Sequence, residues 1–273
     1  MRVARAGYYA WRRRRPSLRE REDEQLLARI EAIHEASGEA YGAPRIHAEL
    51  RLEHGIHVSR KRVARLMRRA GLQGVHRRRA GRSKAQQASL AARVAPDRVQ
   101  RGFDVDQVDS VWFADVKQAW TSEGWLYLAA VLDAASKRIV GWSMSDSPTT
   151  DLVVNAVSMA AANRQPDGPV LHHSDRGAVY TSIRFGATLT RLNLVGSMGG
   201  GGSPHDNAVM ESFFATLQTE LLDRTSWRTR NQLRTAIFYW IEATYNRRRR
   251  HSTLDMLTPA EYETQYAHKQ VPE

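Results

Sequence analysis

Three acidic residues raise the question of what this 273-residue chain does. Asp115 interrupts the apolar run Val111-Trp-Phe-Ala-Asp-Val116. A carboxylate taken into such a strand is costly without compensation, so it needs a partner or a task. Asp175 follows Val170-Leu-His-His-Ser174, just past the carboxyl end of a short strand, where open α/β sheets place ligands. Glu211 falls in the first turns of an expected helix whose core stripe is Met210, Phe213, Phe214 and Leu217. Carboxylate oxygens are the hard donors that Mg²⁺ prefers. Each acid taken alone also has a structural reading: Asp115 in a buried ion pair, Asp175 starting a turn, Glu211 at the positive end of a helix dipole.

A sheet has to position these groups. Residues 111–116, 126–132 and 138–144 read as three successive strands with short turns at 122–124 and 134–136. A helix is expected over 150–162, a short strand over 170–172, a helix over 182–192 and a short strand over 194–196. Helices over 207–222 and 232–246 follow. Three antiparallel strands followed by alternating helix and strand imply an α/β domain, a mixed sheet with helices on both faces. That order fits the ribonuclease-H-like architecture.

Charge divides the chain. Of 41 Lys and Arg and 29 Asp and Glu, residues 1–100 hold 24 and 10, so the whole net charge of +12 comes from the first third. Such asymmetry points to a polyanion-binding N-terminal part. Residues 17–37 carry Leu26, Leu27, Ile30 and Ile33 at helical spacing and stop at Gly38. Pro44 suits the first turn of a second helix closing at Gly55. Ser59 is a cap for a third, Arg60 to Ala70, with Gly71 as its stop. Val63, Leu66, Met67 and Ala70 form its apolar back, and Arg60, Lys61, Arg62, Arg65, Arg68 and Arg69 its basic front. Helix, turn and basic helix favour an all-α helix-turn-helix domain whose front meets phosphates or base edges. The resulting division is 1–75 helical DNA-binding domain, 76–102 basic linker, 103–223 catalytic core, and 224–273 C-terminal helix and basic tail. Arg247 to Arg250 read equally as dipole-compensating cations and as DNA contacts.

Several classes are excluded. The chain has no cysteine, which removes disulfides, thiol nucleophiles, iron–sulfur clusters and Cys-based zinc sites. No apolar run reaches the length of a membrane span, and no secretory signal is visible. A cytoplasmic, nucleoid-associated location is expected.

Fifty-nine residues separate Asp115 from Asp175, and thirty-five separate Asp175 from Glu211. An acid in the opening strand, one after the fourth strand and one on a later helix resemble the DDE core of transposases and retroviral integrases. His173-Ser-Asp-Arg-Gly177 with Tyr180 resembles that family's second-acid motif, and Asp206-Asn-Ala-Val-Met-Glu-Ser-Phe-Phe214 its third. Tyr245-Asn246, Arg250-His-Ser252 and Thr258-Pro259 resemble its C-terminal signature. Gly7-Tyr-Tyr-Ala-Trp11, Tyr41-Gly-Ala-Pro-Arg-Ile46 and the run Val58 to Met67 match as well. Together they resemble the OrfB-type transposase of two-frame bacterial insertion sequences, from about Gly7 to about Glu263.

The resemblance implies metal-dependent cleavage and strand transfer at terminal inverted repeats. Asp115, Asp175 and Glu211 would be both the catalytic residues and the ligands of two Mg²⁺ ions, with Mn²⁺ able to substitute. Asp115 would bridge the ions, which stabilise both ends of an in-line displacement. Lys117, where relatives commonly show Thr, and Gln218, where they commonly show Lys or Arg, are candidate DNA contacts. Asn207, His173 and Arg176 are supporting residues. Expected partners are double-stranded DNA (terminal repeats and target), a second copy of the chain on DNA, and an upstream frame's product, separate or fused. The other reading is a decayed regulator that binds DNA without cutting it.

Overall fold

The computed structural model describes Arg5, Tyr9 and residues 17–75, 105–175, 177–198 and 208–270. The chain divides into two compact units, Met1–His76 and Arg77–Glu273. The basic stretch 76–102, Arg176 and Asn207 lie outside the described residues.

Residues 17–75 of the first unit hold three helices: α1 (Leu18–Ala36), α2 (Ala43–Leu52) and α3 (Arg60–Arg69). Ser17 and Glu20 form a reciprocal capping box that satisfies two backbone donors at the start of α1. Ser59 caps α3 by accepting from the Arg62 N–H at 3.2 Å. Leu26, Ile30 and Ile33 of α1, Ile46 and Leu50 of α2, and Val63, Leu66 and Met67 of α3 close one core. The apolar back expected for the basic helix is therefore buried, with Ala70 at its half-buried end.

The second unit is built on a five-stranded sheet. Its strands are β1 (Val111–Thr121), β2 (Gly124–Asp133), β3 (Ile139–Ser145), β4 (Val170–Ser174) and β5 (Leu194–Met198), in the order β3-β2-β1-β4-β5. β1, β2 and β3 pair antiparallel, and β4 and β5 join in parallel. The expected mixed sheet is present, with β1 and β4 longer than their apolar runs suggest. Helices α4 (Thr150–Arg164) and α5 (Ile183–Arg191) bury Val153, Val157, Phe185 and Leu189 against one face. Helices α6 (Ala208–Glu220) and α7 (Arg230–Tyr239, continued as a π-helical turn Trp240–Tyr245) bury Phe213, Leu217, Leu233 and Ile237 against the other. Gly141 permits close approach of β3 to α4. A Cβ there would lie 2.3 Å from the Ala156 carbonyl oxygen and 2.6 Å from the Ala160 nitrogen.

The C-terminal segment differs from the basic tail expected. Pro259–Gln270 forms a further helix, α8. Thr258 and Glu261 make its capping bonds, and Glu261 also takes Arg250 at 2.6 Å. Glu263 takes Arg164 at 3.0 Å and also pairs with Arg138. The buried Asn246 amide donates to the Ile139 carbonyl and accepts from its N–H, which stitches the C-terminal segment to β3. No helix among the described residues is long and apolar enough to cross a membrane.

Candidate active site and DNA-binding helix

β1 and β4 pair in parallel up to the rung Ala114–Ser174. Asp115 and Asp175 each follow that rung by one residue, so two carboxylates end up at neighbouring positions of two adjacent strands. Adjacent strands lie about 4.8 Å apart. Side chains alternate along a strand, so Asp115 and Lys117 share the face of Phe113 and Ala119, which pack toward α6 and α7. Asp115 is half-buried, and one of its oxygens accepts the Val116 N–H at 2.7 Å. Asp175 is exposed and accepts the Gly177 N–H at 2.9 Å, which closes a tight turn after β4. A Cβ on Gly177 would come within 2.9 Å of that same oxygen, so a larger residue there would push the Asp175 carboxylate aside.

Tyr180 reports on both acids. It is buried, and its phenol is held well above its ordinary pKa, first by burial and then by the charges of Asp115 and Asp175. The two histidines before Asp175 face opposite ways. His172 is fully buried against Phe185 and Tyr180, with Nε2 unpartnered, and burial pushes its pKa down to about 4. It is a core residue. His173 meets Phe113 edge-on and shares a hydrogen bond of 3.1 Å with the Ser197 hydroxyl. It thus bridges from β4 to β1 on one side and β5 on the other.

Glu211 lies exposed in the first turn of α6, the helix that covers the Asp115 face of the sheet. Among the described residues no three His, Asp or Glu side chains stand close enough together to hold one metal ion. The structure therefore brings Asp115 and Asp175 together and does not gather Glu211 into one group with them. Gln218, nearly two turns further along α6, donates to Asp223 at 2.6 Å. Lys117 is half-buried opposite Leu128.

The basic front of α3 is not uniform. Arg60, Lys61, Arg68 and Arg69 are exposed. Arg62 and Arg65 instead bind Asp23 of α1 at 2.8 and 2.7 Å, and Arg62 also reaches Glu22 at 3.3 Å. Of the C-terminal arginines, Arg249 and Arg250 are buried in pairs with Glu220 and Glu261.

Residues 20–80 match the profile of an HTH-like domain, and residues 105–204 and 195–259 match two profiles of the integrase core domain. The chain is 37% identical over 265 residues to the transposase InsF for insertion sequence IS3A of Escherichia coli (strain K12), covering 96% of this chain and 91% of that protein. It is 36% identical over 264 residues to an uncharacterized 31 kDa protein of insertion element IS600 of Shigella sonnei, covering 97% and 96%. The chain belongs to the IS3-type transposases. A solved catalytic core of BIV integrase is a more distant likeness, 16% identical with a TM-score of 0.42, covering 59% of this chain and 98% of that one.

The transposase is thus an enzyme of the integrase-core class carrying an N-terminal HTH-like domain. Three parts of its site escape the sequence reading. Gly177 and Tyr180 stand within the second-acid motif, but the Gly177 contact with Asp175 and the burial of Tyr180 within reach of both acids' charges emerge only in three dimensions. Asp23 gives no local signal, because its partners lie 39 and 42 residues away.

Proposed function

We propose that this transposase cuts DNA strands at the terminal inverted repeats of an insertion sequence and joins them to target DNA. Asp115, Asp175 and Glu211 are the acids of its catalytic set in this reading. The observation that carries it is the placement of Asp115 and Asp175 at neighbouring positions just past the last rung of the parallel pairing between β1 and β4, inside an integrase-core domain. The integrase-core family is divalent-metal dependent, and the donors fit. Two carboxylates on adjacent strands are hard oxygen ligands, and Mg²⁺ takes one or two such groups while leaving its other positions to water and phosphate. Two bound Mg²⁺ ions, with Mn²⁺ able to replace them, would stabilise charge on the attacking and leaving oxygens.

The chain's own residues do the rest. β1 and β4 fix the two aspartates, and the Gly177 turn sets the direction of the Asp175 carboxylate. Glu211 joins them from α6 as the third acid. Lys117, on the Asp115 face, supplies a cation for a phosphate. Gln218 reaches DNA only by giving up Asp223. Arg60, Lys61, Arg68 and Arg69 face the duplex from α3. The active form is a homo-oligomer on paired ends, working with the product of an upstream frame, separate or fused.

The test is a cleavage and joining assay on labelled duplex carrying the element's own terminal repeat, with Mg²⁺ or EDTA, comparing wild type with Glu211→Gln. Metal-dependent nicking and joined products that vanish in the variant support the reading. Undiminished cleavage by Glu211→Gln removes Glu211 from the set. Tight DNA binding without any reaction, even after the upstream product is added, would favour a regulator instead.

A further inference from the structure

Six cations lie on α3, and the N-terminal unit deals with them unequally. Asp23 is only 4% exposed, and its two oxygens take Arg62 Nε at 2.8 Å and Arg65 Nη2 at 2.7 Å. The two arginines lie three residues apart and so reach the same side of the helix. They hold the Asp23 carboxyl down to about 2. Glu22 adds a weaker contact to Arg62 from the exposed rim. Among the described residues no ion pair engages Arg60, Lys61, Arg68 or Arg69. The Arg62 side chain is 26% exposed and that of Arg65 48%, so both guanidinium groups lie within reach of solvent, yet each already has an anion.

We propose that Asp23 is an internal substitute for a DNA phosphate, withholding Arg62 and Arg65 so that α3 offers only Arg60, Lys61, Arg68 and Arg69 to the duplex backbone. This rests on reading the N-terminal unit as DNA-binding. For a phosphate to capture either arginine, a charge-assisted hydrogen bond has to break and a buried carboxylate has to lose a partner. Sequence-independent affinity is set by the number of phosphates neutralised, whereas base contacts carry specificity. Withholding two cations therefore lowers the sequence-independent part of binding. Asp23 is a specificity-setting residue that never meets DNA.

The full chain, titrated with a fluorescent duplex of random sequence over a series of salt concentrations, tests this. Each phosphate contact contributes about 0.9 to the slope of log affinity against log salt. Lys61→Ala and Arg68→Ala should each flatten the slope by about that amount, while Arg65→Ala leaves it unchanged. Asp23→Asn should steepen the slope by up to about 1.8, because two arginines are released. A purely structural Asp23 would alter folding stability and leave the slope alone. The proposal is overturned if Arg65→Ala flattens the slope as Arg68→Ala does, or if folded Asp23→Asn keeps the wild-type slope. If Asp23→Asn does not fold, the comparison of Arg65→Ala with Arg68→Ala decides alone. If no substitution on α3 moves the slope, the DNA-binding reading of the helix fails as well, and that result is distinct from silence at Asp23 alone.

Discussion

Asp115 and Asp175 each stand one residue beyond the last rung of the parallel pairing between β1 and β4, and the buried Tyr180 senses both charges. Like charges at neighbouring positions of a sheet repel, so the fold gains nothing from this pair. Asp133 makes the contrast. It ends β2 and is fully buried, but it accepts bonds from the Asp109 and Ser136 N–H groups and from the Ser136 hydroxyl, which makes it a structural acid. Asp115→Asn should therefore abolish strand cleavage while leaving the melting temperature unchanged or raised. Added Mg²⁺ should raise the melting temperature of the wild type and not that of the variant, since only a state that binds the ion is stabilised. A variant that melts early would place Asp115 among the structural acids with Asp133.

Gly177 is the next position to perturb. Its N–H holds the Asp175 carboxylate, and an added methyl would stand 2.9 Å from the same oxygen. Gly177→Ala leaves every acid in place and turns one of them aside. Cleavage should drop by about 100-fold, the scale of a misplacement of roughly 1 Å in a reacting group. Affinity for the terminal duplex should stay at the wild-type value. Equal loss of binding and cleavage would mean that the turn serves DNA contact and not Asp175.

The strands and helices around the acids were legible because their apolar periods are strong and local. Val111 to Val116 and Leu126 to Leu132 alternate or run apolar, and α6 shows its stripe of Met210, Phe213, Phe214 and Leu217. The acids themselves were legible by type and spacing. What escaped was held by charge over long separations. α8 buries only Pro259 and is anchored through Glu261 to Arg250 and through Glu263 to Arg138 and Arg164 far along the chain, so no periodicity announces it. The basic front of α3 read as six equal cations because Asp23, which engages two of them, sits on another helix. Helical spacing reports which face a residue occupies and says nothing about which charge has crossed from elsewhere to meet it.

His172 predicts an acid sensitivity in the catalytic unit. Its imidazole is buried with an unpartnered Nε2, and burial lowers its pKa from about 6.5 to about 4. Between those values the unfolded chain binds a proton that the folded chain refuses. Stability is full above pH 6.5 and declines as the pH falls toward 4, by about 3 kcal/mol in all. His172→Phe keeps an aromatic ring beside Phe185 and Tyr180 and removes the titrating group. Urea melts from pH 7.5 down to pH 4 should show a slope in the wild type that is absent in the variant. An identical pH dependence in both would assign the acid sensitivity to another group.

Arg249 separates structure from DNA contact in the basic run 247–250. Its guanidinium donates through Nε and Nη2 to Glu220 at 3.0–3.1 Å and lies 5.7 Å from the Tyr245 ring centre. The two side chains are 9% and 8% exposed, so neither has much water to fall back on. Removing one partner strands a buried charge, which costs about 3–5 kcal/mol. Arg249→Ala should lower the urea midpoint accordingly, and Glu220→Ala should do the same. Neither change should alter the salt slope of DNA binding in the folded protein, because Arg249 neutralises a carboxylate of the core and not a phosphate. A stable Arg249→Ala protein with a flattened salt slope would reverse that assignment and return this arginine to the DNA surface.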